Sequence, residues 1–480
     1  MLFNSYIFVF VFLPVVLAGY FLLAKLNDKA AQLFLIGMSL WFYGYFNPWY
    51  LFIICGSVVF NYLFSKLLMK RKSRPVLTVG VLANIAVIFY YKYFNFFKEN
   101  INALFGTDFV LTNIVLPLGI SFFTFQQISF LVDSFRGETK DYGFIEYALF
   151  VVYFPQLIAG PIVMHSELIP QFRDKSKKSI NTDNLYSGAV MFGLGLSKKV
   201  LLADVFARSV TWAWGNVAEL TAMDVFIAML SYAFQLYFDF SAYSDMATGI
   251  GRMFNIVIPM NFNSPYKALS FPELWDRWHL TLTRFLRQYV FFPLGGSRKG
   301  KVRTYINTFI VFLVSGIWHG ANWTFILWGV VQGTVFLLTR LMDKWYKKLH
   351  VAFQWFLTFF GFCLTLILFR SDSVSQCLTL MARMFRMENM SLSSQIIESY
   401  NLPEMDFVKD MLHIGGLIEK LPAFWVAFFL ILGFCICLNH RNNYEREFTP
   451  KLSTTVCTAF LVCYSIISLG GVSVFIYFNF

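Results

Sequence analysis

Apolar runs long enough to cross a bilayer, roughly 18 residues or more, recur along the chain and alternate with short segments that hold most of its charge. The pattern predicts spans at 5–24, 30–46, 49–68, 76–94, 115–134, 144–163, 185–206, 220–240, 305–320, 323–342, 351–369, 422–439 and 453–478. Each span takes about 20 residues, so 480 residues accommodate about a dozen and leave no soluble domain between them. The expected fold is one all-α, polytopic membrane domain over 1–480, with 371–421 forming surface helices outside the bilayer.

Three stretches depart from plain spans. FPQLIAGPIV (154–163) carries Pro155, Gly160 and Pro161 and is expected to be a broken segment that does not fully cross. Residues 239–263 place Asp239, Asp245 and Arg252 among small residues, which suits the lining of a wet cavity inside protein; a loop between spans is the alternative. Residues 275–292, WDRWHLTLTRFLRQYVFF, have helical spacing. Trp275, Trp278, Leu282, Phe285, Tyr289 and Phe292 form one stripe, and Arg277, Thr281, Arg284 and Gln288 form the other. Such a helix suits the membrane interface or a re-entrant position, with His279 on the shoulder between its faces.

Charge sets the expected orientation. Lys25, Lys29, the cluster Lys70, Arg71, Lys72 and Arg74, and then Arg136 and Lys140 fall on one side, which the positive-inside rule makes cytoplasmic. The N-terminus is then extracytoplasmic, and the basic loop 173–178 reaches the cytoplasm only if 154–163 fails to cross. The first apolar stretch has no Lys or Arg ahead of it, so it is expected to be a retained span and not a cleaved signal. A hydrophobic share of 58% and a net charge of +12 fit membrane anchoring with a basic cytoplasmic surface, and give no reason to invoke nucleic acid. The cysteines (55, 363, 377, 435, 437, 457 and 463) form no CxxC and lie mostly in apolar stretches, which indicates neither a disulfide framework nor a metal site.

Chemistry is sought first at His319, in SGIWHGANWTF (315–325) within an apolar run over 306–341. An ionisable group at membrane depth is costly and is a functional-site candidate. A histidine there can take a proton from a hydroxyl and return one to a leaving group, as acyl transfer from a thioester to an alcohol requires. Alternatively its ring simply hydrogen-bonds a backbone carbonyl, and both readings stand at this point. There is no GxSxG, P-loop, HExxH or HxxxxD arrangement. The basic cluster Arg298, Lys299, Lys301 and Arg303 is explained by membrane anchoring, and would also suit a phosphate-bearing donor.

Five ordered blocks carry a resemblance: LPLGISFFTFQQISFLVD (116–133), FPQLIAGPIV (154–163), YFDFSAYSDMATGIGRMF (237–254), NSPYKALSFPELWDRWHLTLTRFLRQYVFFPLGG (263–296) and SGIWHGANWTFILWG (315–329). Through them the chain resembles the membrane-bound O-acyltransferase family, specifically the bacterial branch that O-acetylates alginate and peptidoglycan, and is related to D-alanyl transfer proteins of teichoic acids. The resemblance implies a ring of about 11–13 transmembrane helices around a thin centre, where a cytoplasmic tunnel meets an extracytoplasmic funnel, with 237–342 supplying the catalytic core.

By position it implies catalytic roles for His319 and His279, with Asp245, Arg252, Trp318 and Asn322 as cavity or supporting residues. FIYFNF (475–480) resembles the C-terminal motif of this branch, which makes Tyr477 a candidate acyl relay. The implied function is transfer of acetyl groups from acetyl-CoA or another acyl thioester, with no bound cofactor, across the bacterial inner membrane. An extracytoplasmic SGNH-like partner then acetylates a cell-surface polysaccharide. D-alanyl transfer from a carrier protein to teichoic acid and, in a different class, membrane transport are the alternatives. No internal repeat of the transporter kind is apparent.

Overall fold

The computed structural model describes residues 1–112, 114–402, 410–411, 413, 421–469 and 474–476, and among these no strand occurs. In chain order its principal helices are α1 (Phe8–Leu26), α2 (Asp28–Gly44), α3 (Trp49–Lys70), α4 (Arg74–Phe105), α5 (Ile120–Arg136), α6 (Phe144–Val152) and α7 (His165–Arg173). Next come α8 (Thr182–Lys198), α9 (Asp204–Gly215), α10 (Ala222–Met253), α11 (Phe271–Trp275), α12 (Leu280–Leu286) and α13 (Lys301–His319). The last are α14 (Trp323–Leu341), α15 (Val351–Arg370), α16 (Val374–Arg386), α17 (Phe424–Asn439) and α18 (Leu452–Ile467).

Seven helices among the described residues are long and apolar enough to span a bilayer: α1, α3, α4, α10, α14, α15, and α17 with the turn after it. The chain is an all-α, multi-pass membrane protein. Other helices carry more polar residues and spend them inside the protein. Gln127 of α5 accepts a hydrogen bond from Asn61 of α3 at 2.6 Å, and Asn61 accepts one from Asn84 of α4 at 2.7 Å. Hydrocarbon offers such groups no partner, so the amide ladder fixes how α3, α4 and α5 face one another.

Helix α10 is the axis of the packing. Most of its 32 residues are buried, and it belongs to both hydrophobic clusters. One cluster gathers α1, α2, α5, α6 and residues 154–172; the other gathers α9, residues 262–278, α15, α16 and α17. Helix α8 lies directly on α10 because glycines face each other: a Cβ on Gly188 would stand 2.5 Å from Gly249 O, and one on Gly249 would stand 2.7 Å from Gly188 O.

Several expectations change. The expected span 220–240 continues unbroken to Met253, so residues 239–253 are helix and not a loop, and nearly all of them are buried. Their charges are neutralised by lysines instead: Lys199 pairs with Asp239 at 2.6 Å and with Asp204 at 2.9 Å, and Lys198 pairs with Asp245 at 2.6 Å. A buried ion pair supported by hydrogen bonds is what permits a polar-looking sequence to remain helical inside the protein. Similarly, the span expected at 185–206 is longer, because α8 passes through a π-turn, Lys199–Ala203, directly into α9.

The segment 154–163 is broken. Helix α6 has 9 residues, a length of about 14 Å, which is too short for a hydrocarbon core of about 30 Å. One helical turn, Phe154–Leu157, and non-helical backbone follow before α7. The amphipathic stretch 275–292 is likewise not one helix. It breaks at His279 between α11 and α12 and ends in a π-turn, Arg287–Phe291. Trp275, Trp278, Leu282 and Phe285 of its apolar stripe turn inward and are buried, whereas Tyr289 is partly buried and Phe292 exposed. In the region expected to form surface helices, α16 is amphipathic and buries Cys377, Leu380 and Met384; residues 403–409, 412 and 414–420 lie outside the described residues.

Candidate active site

His279 occupies the break. Its backbone is left-handed, φ 45° and ψ 53°, a conformation that costs a non-glycine residue on the order of 1 kcal/mol and persists only where surrounding bonds enforce it. Those bonds come from residues 261–263. Leu280 N donates to Asn261 O at 2.9 Å, and Asn263 N donates to Arg277 O at 2.9 Å. The sequence supplies no helix-breaking residue at 279, so the tertiary contacts override the helical spacing.

The ring of His279 is 1% exposed. Its Nδ1 stands 3.0 Å from Asn261 Oδ1, which also accepts from Thr281 Oγ1 at 2.9 Å. An amide oxygen only accepts, so Nδ1 carries the ring proton and Nε2 is the basic nitrogen. Thr281 Oγ1 in turn accepts from Ile162 N at 2.9 Å, which ties the broken segment 154–163 to the histidine. The edge of the His279 ring meets Phe240 of α10 at 4.8 Å between centroids.

His319 is the last residue of α13 and is buried at 6% exposure. Aromatic rings surround it: Trp318 at 4.9 Å, Trp328 of α14 at 5.2 Å and Phe369 of α15 at 5.1 Å. Trp318 belongs to one hydrophobic cluster and Trp328 to the other, so the histidine stands at their seam. The chain turns there because Gly320 is extended and a Cβ on it would meet the Phe325 ring at 2.2 Å. Lys92, in a π-turn of α4 (Phe89–Tyr93), donates to the carbonyls of Trp318 at 2.7 Å and His319 at 3.0 Å.

The two histidines line one cavity of about 330 Å³, together with Trp275, Trp278, Arg287 and Arg340. His319 also borders a small gap of about 20 Å³ with Lys92, Gly119 and Ile158, room for about one water. Gly119 is left-handed, φ +68°, and a Cβ there would stand 2.7 Å from Leu157 O, so only glycine lets the loop before α5 lie on the broken segment. A larger cavity, about 1220 Å³, lies elsewhere, between α8–α9 and α17–α18, and neither His279 nor His319 lines it.

The other sequence-derived candidates are placed differently. Trp318 stacks on Phe125 at 5.3 Å and contacts His319, so it lies within the site. Asp245 is paired with Lys198 and accepts from Asn443 Nδ2 at 2.8 Å, Arg252 lies in the last turn of α10, and neither lines the histidine cavity. Asn322 caps α14, accepting from Thr324 N at 3.0 Å, and donates to Asp372 O at 2.8 Å; it too is absent from that cavity. Tyr477 lies outside the described residues, but the preceding ones are anchored: Phe475 is buried, and Ile476 N donates to Asp239 Oδ2 at 2.8 Å. Sequence reasoning missed Asn261, Thr281 and Lys92. The only signal available was the polar MNFNS (260–264) preceding the tryptophan-rich block.

A cavity holding two buried imidazoles, with one basic nitrogen assigned by its hydrogen bond and arginines on the wall, has the parts for proton transfer beside a charged or phosphate-bearing reactant. Comparison with known proteins is consistent with that chemistry. The chain is 37% identical to a peptidoglycan O-acetyltransferase of Helicobacter pylori, over 100% of this chain and 98% of the relative. It is 35% identical to a protein of Pseudomonas aeruginosa named "Probable alginate O-acetylase", over 82% of this chain and 76% of the relative. A teichoic acid D-alanyltransferase of Bacillus subtilis is 24% identical over 63% of this chain and 76% of its own length. Residues 77–378, which include nearly all of α4, the whole of α5 through α15 and both histidines, match the model of the membrane-bound O-acyltransferase family, and the chain belongs to that family as a membrane-bound O-acyltransferase.

Proposed function

We propose that this chain moves acetyl groups from a cytoplasmic acyl thioester, such as acetyl-CoA, across the bacterial inner membrane for O-acetylation of a cell-surface polysaccharide. The observation that carries the reading is the shared cavity of His279 and His319, with His319 also bordering the small gap beside Lys92. Arg287 and Arg340 on the cavity wall suit the phosphates of a nucleotide-borne thioester. Relatives whose names specify O-acetylation match the chain over more of its length, and at higher identity, than those named for D-alanyl transfer, which favours acetyl. The N-terminus is extracytoplasmic in this reading.

The Tyr477 hydroxyl attacks the thioester carbonyl carbon, the C–S bond breaks, and His319 takes the phenolic proton and returns it to the departing thiolate. The acyl group then resides on a phenol, whose ordinary pKa near 10 makes it a better leaving group than a sugar hydroxyl. An extracytoplasmic partner of the SGNH type passes it to the polysaccharide. His279, oriented by Asn261, positions the donor. Burial of Phe475 and the bond from Ile476 to Asp239 support the relay, because they hold the chain two residues and one residue before Tyr477 inside the protein.

Mass spectrometry of the C-terminal peptide, from protein incubated with labelled donor and no partner, should find one acyl group on Tyr477 that is missing in His319→Ala. Tyr477→Phe keeps the ring and deletes the nucleophile. It should abolish transfer, and an active Tyr477→Phe protein would discard the relay.

A further inference from the structure

A helix ends with backbone carbonyls that have no partner within the helix. In water the solvent satisfies them; inside a membrane protein each unmade bond costs several kcal/mol. Helix α13 ends on His319, and the usual glycine cap is missing, because Gly320 is extended, φ −167° and ψ 157°, and not left-handed.

The carbonyls are met from another helix. Tyr93 Oη donates to Ile317 O at 2.6 Å, and Lys92 Nζ donates to Trp318 O at 2.7 Å and His319 O at 3.0 Å. Three consecutive carbonyls of the last turn are thus bound by two consecutive side chains of α4. Both belong to the π-turn Phe89–Tyr93, a rare form that concentrates at functional sites. No carboxylate lies within 4 Å of Lys92 among the described residues, so its ammonium serves the helix end and no ion pair. A cation there also complements the negative end of the helix dipole. The ammonium stands 5.9 Å from the centre of the Trp318 ring, and Lys92 borders the same small gap as His319.

We propose that Lys92 and Tyr93 are positioning residues for acyl transfer, clamping the terminal carbonyls of α13 so that the His319 ring is held at the junction of its two cavities. The assignment rests on the proton-transfer role of His319 proposed above. An error of about 1 Å in such a ring lowers turnover by roughly a hundredfold while leaving ground-state binding of donor nearly intact.

The test measures thiol release from acetyl-CoA by the full-length protein in proteoliposomes, supplied with the extracytoplasmic partner and a polysaccharide acceptor so that the relay is discharged and turnover continues, with kcat and KM separated, for Lys92→Met, Lys92→Arg, Tyr93→Phe and His319→Ala. Lys92→Met should lower kcat by roughly 10–100-fold with KM for the donor within about twofold. Lys92→Arg, which keeps a cation with several donors, should recover most of that loss. Tyr93→Phe, losing one hydroxyl, should lower kcat severalfold. Wild-type kcat in Lys92→Met beside an inactive His319→Ala overturns the clamp alone, whereas an active His319→Ala overturns the proposed function with it. A loss in Lys92→Met carried by KM also overturns the clamp. If Lys92→Met fails to insert, Tyr93→Phe decides: wild-type kcat overturns the clamp, and reduced kcat at unchanged KM supports it.

Discussion

Two π-turns bring lysines into the body of this protein, and they dispose of the charge in opposite ways. In the turn between α8 and α9, Lys199 is held by Asp239 and Asp204 and its ammonium lies 4.7 Å from the centre of the Phe475 ring, so the cation is paired where three parts of the chain meet. In the turn of α4, Lys92 meets carbonyls and no carboxylate among the described residues. The first arrangement ties helices together and is complete in itself. The second locates one helix end, and that end carries His319. Buried cations therefore have two distinct uses here, cross-linking and aiming, and an inventory of ion pairs detects only the first.

The largest effect separates the two directly. His319→Ala should lower acyl transfer between about a hundredfold and ten-thousandfold, as expected on loss of a general acid or base, with insertion and melting in detergent unchanged. Lys199→Met should instead show its effect in stability. It leaves Asp239 buried without its cation, a loss of about 3–5 kcal/mol read as a lower melting temperature, and Lys199→Met with Asp239→Leu should restore most of it. If Lys199→Met melts like the parent protein, the pair contributes nothing and the contrast between the turns dissolves.

A smaller effect is expected at His279. Replacement by Ala should reduce donor turnover by about tenfold to a hundredfold, and replacement by Asn, which keeps a hydrogen bond toward Asn261, should preserve more. Complete loss with Asn would assign the ring an ionisation role, and wild-type turnover in both variants would remove it from the reaction. The smallest effect belongs to Asn322→Ala. Loss of the α14 cap should cost about 1 kcal/mol in stability with transfer close to that of the parent, because Asn322 does not line the histidine cavity.

What the sequence made legible was set by how local the cause was. The spans at α1, α3, α14, α15 and α17 fall within a few residues of their expected places, because apolar continuity alone decides them. The continuation of α10 to Met253 was hidden, since Asp239 and Asp245 look like loop residues until their lysines, some forty residues earlier, are known. The break at His279 was equally hidden, because its cause lies in residues 261–263 and in Thr281. Lys92 is separated from the carbonyls that it binds by 226 and 227 residues, and no local pattern reports such a pairing. His319 and His279 were legible through the blocks that contain them, whereas Asn322, in the block of His319, and Asp245 and Arg252, in the block 237–254, lie outside the cavity.

Helices α13 and α14 meet at glycines, where a Cβ on Gly316 would stand 2.5 Å from Phe325 O and one on Gly329 would stand 2.7 Å from Phe312 O. Both obstacles are main-chain atoms, which no replacement elsewhere can trim. Ordinary crowding inside a protein is relieved when a neighbouring side chain shrinks, so paired changes can drift through a population of variants; here that route is closed. The two positions should therefore stay intolerant in any selection for altered donor or acceptor, and laboratory evolution of this enzyme would do better to diversify the walls around Arg287 and Arg340 than the hairpin that carries His319.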